Sequence, residues 1–362
     1  MLYILISFIS FQLLIALINF LSRNYLWDIT KQDKSEELVS VLIPARNEEH
    51  NLPKLLDDLI AQNYKNIEII VYNDCSTDKT KDIVEEYTRK YSFFKLIDGG
   101  EVPDGWYGKT YACWNLGHNA SGDFLLFIDA DVRLKGNLIK RAIYYAERKN
   151  LSLISIFPKQ IMISFGEKLI VPIMNIILLS LLALPLVRFR FFPSLSAANG
   201  QFMFYRRDVY LKLNPYEIFK KSRVEDIDIA YYFKKQRQKI ACLLGDDELT
   251  CRMYKNFEQA IAGFSKNVIA FFRNSVLFAF FYIFANIISF IWALLSLGLG
   301  ISLLILSVQI LTLVLIFASS KQNILFNLIT QPIRLIILIY IVVKSLIDKR
   351  KKGYLWKGRY VK

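Results

Sequence analysis

The chain has 362 residues, a formal net charge of +14 and a hydrophobic share of 54%, with mean hydropathy +0.31. That apolar content excludes an ordinary soluble domain and points to spanning segments beside one globular domain of roughly 200–250 residues. No nucleic-acid module accompanies the basic charge. Its four cysteines form no CxxC pair, so neither a disulfide framework nor a zinc site is expected.

In chain order, residues 1–22 carry no charge and read as a retained membrane anchor, with Arg23 on the inner side. Residues 23–267 are mixed and charged, and read as a cytoplasmic catalytic domain. Within it, 38–43, 67–72, 124–128 and 151–157 are predicted strands, and 48–62 and 78–90 predicted helices. Alternating units of this kind imply an α/β, mostly parallel, doubly wound sheet. Ligands bind such sheets beyond the carboxyl ends of the strands.

Several loops fall at those ends. Pro44-Ala45-Arg46-Asn47-Glu48 follows the first strand. Arg46 there faces a phosphate or serves as surface charge, and Asn47 caps a helix. Asp74 ends the second strand, where a carboxylate accepts hydrogen bonds from a base or ribose. Lys109, in Gly105-Trp106-Tyr107-Gly108-Lys109, offers a point charge for phosphate. Asp129-Ala130-Asp131 follows the strand at 124–128. Two carboxylates at i and i+2 after an apolar strand suit a hard cation shared with a diphosphate, Mg²⁺ or Mn²⁺. Glu225-Asp226 opens a helix. A carboxylate there serves as a base toward an acceptor hydroxyl or carboxylic acid, or as plain helix N-terminal charge. Arg252 offers a bidentate contact to pyrophosphate, or a juxtamembrane charge.

Residues 169–187 form an uncharged run with Pro172 and Pro185. One crossing there would put the two halves of the site on opposite sides of a membrane, so an interfacial or re-entrant segment is expected, with a buried core helix as the alternative. Residues 274–320 hold two spans with a turn near Gly298 and Gly300. The apolar stretch 324–343 carries Arg334 near its middle. Three full spans in the region 268–348 would put the basic tail, 349–362, outside, against the positive-inside rule. Two spans plus a segment broken near Arg334 keep it inside.

In order, VLIPARNEE, NDCSTD, GWYGKTYAC, FIDADV, ANGQFMF, VEDIDIA and RMYKNFEQAIAGFSKN, followed by LWKGRY, resemble the family 2 glycosyltransferases of the GT-A fold. Within that family the likeness is to carotenoid-type and hopene-associated lipid glycosyltransferases. The resemblance implies a multi-pass plasma-membrane enzyme that moves a hexose from a nucleotide sugar, UDP-glucose foremost, to a membrane lipid. Carried over, Asp74 meets the base, Asp129 the nucleotide and Asp131 the metal, while Asp226 is the catalytic base with Glu225 beside it. Pro44, Arg46, Glu48, Lys109 and Arg252 complete the expected nucleotide-sugar contacts. The Gln-x-x-Arg-Trp motif of processive relatives is absent near Arg252, which counts against a polymerising synthase. Transfer to a polyprenyl phosphate, and a non-catalytic nucleotide-sugar-binding protein, are the alternative readings.

Overall fold

Short apolar runs bounded by polar turns form the central strands. These are β1 (Val39–Ala45), β2 (Ile67–Asn73), β3 (Phe94–Asp98) and β4 (Phe124–Ile128), then β6 (Leu153–Phe157), β8 (Phe202–Arg206) and β9 (Ile240–Leu244). Three short strands, β5 (Val132–Leu134), β7 (Lys159–Gln160) and β10 (Leu249–Cys251), make a second sheet in the order β5-β10-β7. The computed structural model describes residues 2–26 and 36–350, and the backbone of Tyr354–Trp356 and Arg359–Val361, which pair antiparallel. Within the LWKGRY motif, Lys357 and Gly358 lie outside the described residues.

The main sheet runs β3-β2-β1-β4-β8-β6-β9. It is mixed. β8 lies antiparallel to both β4 and β6, where a mostly parallel sheet was expected. Both faces are buried, as for the inner strands of a layered α/β domain. On one face Val41, Ile43, Val71 and Leu126 pack with α2 (Leu52–Ile60) and α5 (Leu138–Lys149). Helix α2 turns Leu52, Leu55, Leu56 and Leu59 inward, the spacing of a helical stripe. It begins four residues later than the sequence suggests. The Glu48 and Glu49 backbone N–H groups are instead spent on Thr80 Oγ1 (2.8 Å) and Asp78 Oδ2 (3.1 Å), just before α3 (Thr80–Lys90).

The other face is covered by α4 (Gly108–Asn119), and its core continues into the apolar helices. Leu42 and Phe127 share one cluster with Ala16 of α1 (Leu2–Ser22), Ile283 of α12 (Val276–Leu297) and Phe317 of α13 (Leu299–Ser319). These three helices are, among the described residues, the ones long and apolar enough to cross a membrane. Helices α12 and α13 are joined by Gly298 alone, at φ +83° and ψ 177°. That conformation is open essentially to glycine.

The segment 169–187 is not a bare ribbon. It forms the end of α6 (Phe165–Ile170), all of α7 (Pro172–Leu181) and a 3₁₀ turn, Leu184–Arg188. Eight of the ten residues of α7 are buried, so this run, expected as an interfacial segment, is enclosed by its neighbours. Asn19 of α1 secures its exit. Its amide donates to the Leu179 and Leu182 carbonyls (3.1 and 2.9 Å) and accepts from Leu184 N–H (2.8 Å), satisfying groups that a helix end leaves open.

The chain also breaks near Arg334. Short α14 (Ile324–Ile329) is followed by α15 (Gln331–Arg350), and α15 is not among the candidate spans. The buried Arg334 guanidinium donates to the Leu169 carbonyl (2.9 Å), Asn327 O (3.0 Å), Asn327 Oδ1 (2.7 Å), Thr330 Oγ1 (2.9 Å) and Gln331 Oε1 (2.9 Å).

Candidate active site

The carboxyl ends of β1, β2 and β4 share one sheet edge, since the three strands are parallel. Their loops are tied together. Asn47, at φ +52°, accepts from Thr77 N–H (2.8 Å) through Oδ1 and donates its own N–H to Ser76 Oγ (3.1 Å). Arg46 Nη1 donates to the Asp74 carbonyl (2.7 Å) and lies 3.8 Å from the Asp74 carboxylate, which is buried. Pro44 sits within β1 opposite Tyr72, and the Glu48 carboxylate accepts from Asn51 Nδ2 (2.8 Å). Cys75, at φ +48°, turns the chain beside Asp74.

A second group gathers beyond β4. The register of β4 on β8 sets Ile128 opposite Phe202, and so brings Asp129 beside the Gly200-Gln201 turn. Lys109, in the first turn of α4, lies 3.0 Å from Asp129 and 3.4 Å from Glu225. Glu225 and Asp226 begin α10 (Glu225–Lys235), where the helix dipole favours acidic side chains. Asp226 accepts from Gly200 N–H and from its neighbour Ile227 N–H, both at 2.9 Å. Gly200 also leaves room here. A Cβ on it would stand 3.3 Å from Lys109 Nζ and 3.7 Å from Asp226 Oδ2. The ANGQFMF segment marks this turn in the sequence, but nothing in the residue types announces that its backbone N–H holds a carboxylate.

The electrostatics follow from this packing. Lost hydration at the cavity floor, then the charge of Glu225, push Asp226 up to about 7, against the opposing pull of Lys109. Burial opposes the charge on Lys109, but Asp129 and Glu225 outweigh it and hold the ammonium well above the ordinary lysine range. Removing this cation with Lys109→Met should raise Asp226 by about 1–3 pH units. If Asp226 works as a base, the pH profile of kcat/KM should move alkaline by that amount. An unmoved profile would separate Lys109 from Asp226.

Lys109, Asp129, Asp131, Gly200, Glu225 and Asp226 all line one cavity of about 1400 Å³. Apolar side chains share the lining: Met174, Leu178 and Leu182 of the α7 region, Phe264 and Phe271 of α11 (Phe257–Phe271), and Phe278 of α12. Arg46 and Asp74 are not in that lining. They occupy the adjoining part of the same sheet edge. Arg252, expected at a pyrophosphate, is engaged elsewhere. Its Nε and Nη2 grip both oxygens of Glu167 (2.8 and 3.2 Å), a carboxylate with no exposed surface. Burial would raise Glu167, but the hydrogen bonds from Arg252 and Ser164 bring it down to about 2. Glu167 also closes a capping box with Ser164 at the start of α6. Its capping signature was readable in the sequence, whereas its pairing with Arg252, 85 residues away, was not.

Asp129 and Asp131 supply hard oxygen donors. Among the described residues no group of three or more His, Cys, Asp or Glu forms a ready cage. Two carboxylates in the lining of this cavity, one with a buried oxygen at Asp131, fit an ion whose remaining ligands are diphosphate oxygens and water, the usual Mg²⁺ arrangement.

Residues 40–213 match the family model described as Glycosyl transferase family 2. That segment, a little under half of the chain, is thus similar to the family 2 glycosyltransferases, and the fold that carries it is GT-A-like. The chain resembles the 4,4'-diaponeurosporenoate glycosyltransferase of Staphylococcus haemolyticus, with 28% identity over 258 residues, 68% of this chain and 66% of that protein. The protein of the same description from Staphylococcus aureus (strain USA300) is 32% identical over 136 residues, 37% of this chain and 35% of its own length. The chain thus spans under two thirds of the length of the curated relatives it matches. In fold it follows the mannosyltransferase PcManGT of Pyrobaculum calidifontis, solved with GDP-Man and Mn²⁺. The TM-score is 0.58 at 16% identity, covering 96% of this chain and 99% of that one.

Proposed function

We propose that the chain transfers a hexose, glucose foremost, from a nucleoside-diphosphate sugar to a membrane lipid, with inversion at the anomeric carbon. The observation that carries this reading is the mixed lining of one cavity. Lys109, Asp129, Asp131 and Asp226 line it together with apolar side chains of α7, α11 and α12. A polar sugar donor and a hydrocarbon acceptor meet only in a space of both characters.

Asp226 takes the proton from the acceptor hydroxyl. The acceptor oxygen then bonds to the anomeric carbon as the bond to the diphosphate breaks, and the nucleoside diphosphate leaves. An acceptor carboxylate, which the name of the Staphylococcus relatives suggests, arrives already ionised and needs no such transfer. Lys109 holds Asp129 and Glu225 in place and offsets their negative charge beside the departing group. Asp131, with Asp129, would hold Mg²⁺ or Mn²⁺, which supplies neutralisation of the diphosphate charge. Asp74, with Arg46 behind it, receives the base, and the loops around Pro44 and Glu48 border it. With Arg252 spent on Glu167, its role toward a diphosphate becomes indirect: it fixes the start of α6 against β10.

Helices α1, α12 and α13 cross the plasma membrane, and the sheet domain lies on its cytoplasmic side, where nucleotide sugars are made. Free thiols at Cys75, Cys113, Cys242 and Cys251 suit that reducing side.

The test uses the purified chain in proteoliposomes with a total lipid extract and UDP-glucose labelled in the sugar. Label should move to the organic phase, and mass spectrometry should find a lipid heavier by one hexose. Removing divalent ions with EDTA should lower the rate by about 100-fold or more, with recovery on adding Mn²⁺ or Mg²⁺. Donor consumption with no glycosylated lipid, across UDP- and GDP-linked sugars, would sink the lipid-acceptor reading. A product bearing phosphate between sugar and lipid would identify a polyprenyl phosphate as the acceptor.

A further inference from the structure

A second cavity, of about 560 Å³, lies among α1, α7, α12, α13 and α15, inside the bundle of candidate spans. Ile173, Ile176, Phe290, Ile310, Leu313 and Leu338 make most of its wall. Several of the polar groups around it are already satisfied by one another. Ser180 Oγ and Tyr282 OH are 3.1 Å apart, joining α7 to α12. Gln309 Nε2 donates to the Asn286 carbonyl (3.0 Å) and Ser289 Oγ (3.1 Å). The Arg334 guanidinium is spent on the α14–α15 break. What remains for an occupant is chiefly hydrocarbon.

Its volume falls within the range of ordinary ligand pockets, about 300–1,000 Å³. A space lined so largely by hydrocarbon forfeits dispersion contacts when left empty. Between helices bathed in lipid, the available filler is a hydrocarbon chain.

The position of this cavity is specific. Ile177 lines both it and the cavity that holds Asp226. On α1 the neighbours Phe11 and Gln12 face the first and the second cavity respectively, and on α12 so do Phe278 and Tyr282, one turn apart. At Ile177 the partition is thus about one side chain thick. We propose that the second cavity receives the distal hydrocarbon of a long-chain acceptor, threaded past Ile177 while its head group lies at Asp226. The inference rests on the lipid-acceptor reading and adds a measure of tail length to it.

The test compares two acceptors with the same head group, one short-tailed and one long-tailed, in nanodiscs. Wild type should favour the long tail by about tenfold or more in kcat/KM, the effect of only a few buried methylenes. Ile176→Trp and Leu313→Trp, on different helices, fill the second cavity without touching the first. Each should bring the ratio near one while short-tail turnover, the control for folding, persists. In parallel, a lipid carrying a diazirine at its tail end is photo-crosslinked to the wild-type chain and the adducts mapped. Adducts at Ile176 and Leu313 support the proposal. Adducts confined to outward residues such as Leu303 and Leu304 overturn it. Adducts in the cavity with a tail-length ratio that the tryptophans leave unchanged also overturn it, and assign the space to a resident lipid. If wild type glycosylates neither compound, the acceptor reading fails, and the tail-threading assignment is overturned with it; the crosslinks then decide only whether the cavity holds a chain.

Discussion

Asp226→Asn should lower kcat by about 10²–10⁴-fold toward a hydroxyl acceptor and leave donor binding nearly unchanged. The amide keeps the shape of the carboxylate, and its oxygen still accepts from Gly200 N–H, but it has no basic electron pair for the acceptor proton. Wild-type kcat/KM should rise about tenfold per pH unit on the acid side and level off above about 7, where Asp226 is ionised. The Asn variant should show no such limb. Turnover undiminished in Asp226→Asn removes this residue as the base.

Stability should move the opposite way. Asp226 titrates near 7 in the fold and near 3.9 in an unfolded chain, so between those values the folded state binds the extra proton. Its contribution is fully present below the lower value and is lost as pH rises through the upper one. Asp226→Asn, which never ionises, should therefore melt above wild type at pH 8, with the gap closing toward pH 4. Such a residue is retained for chemistry at the expense of the fold.

Arg334→Met should destabilise the chain by about 3 kcal/mol or more, read as thermal unfolding in detergent. Met fills similar space but abandons the Leu169 carbonyl, both Asn327 oxygens, Thr330 Oγ1 and Gln331 Oε1 in a buried setting. Arg334→Lys should recover less than half of the loss. A single ammonium cannot reproduce a planar fork that reaches five acceptors on two segments. A Lys variant as stable as wild type would show that charge alone, not the fork, is what the site requires.

The strands of the N-terminal half were legible because each is a short apolar run closed by a polar turn, and the one at 124–128 matched residue for residue. The break near Arg334 was legible too, since an arginine amid apolar residues needs backbone oxygens that an unbroken helix does not release. Strand β8 was not, neither as an element nor in its direction. Phe202-Met203-Phe204-Tyr205 is buried on both faces, so it carries no alternation, and only its neighbours decide which way it runs. Strand β3 was missed for the opposite reason: it is a half-exposed edge strand whose Lys95 pairs with Glu68. At the site, the clustered carboxylates were readable as strand-end residues. The buried Glu167 that holds Arg252 was not, because it presents locally as an ordinary helix start.

The one-residue link at Gly298 has a consequence for sidedness. Two antiparallel rods joined so tightly must return the polypeptide to the level at which it left. On the proposed reading, in which both rods cross a membrane, Ser275 and Ser320 emerge from the same leaflet, whichever way the pair is inserted. Tyr25, just past α1, donates its hydroxyl to the Ser319 carbonyl, which fixes the near end of the first rod at that level as well. On that same reading, the parity of crossings lets only the leading end of α1 and the Gly298 tip face away from the sheet domain.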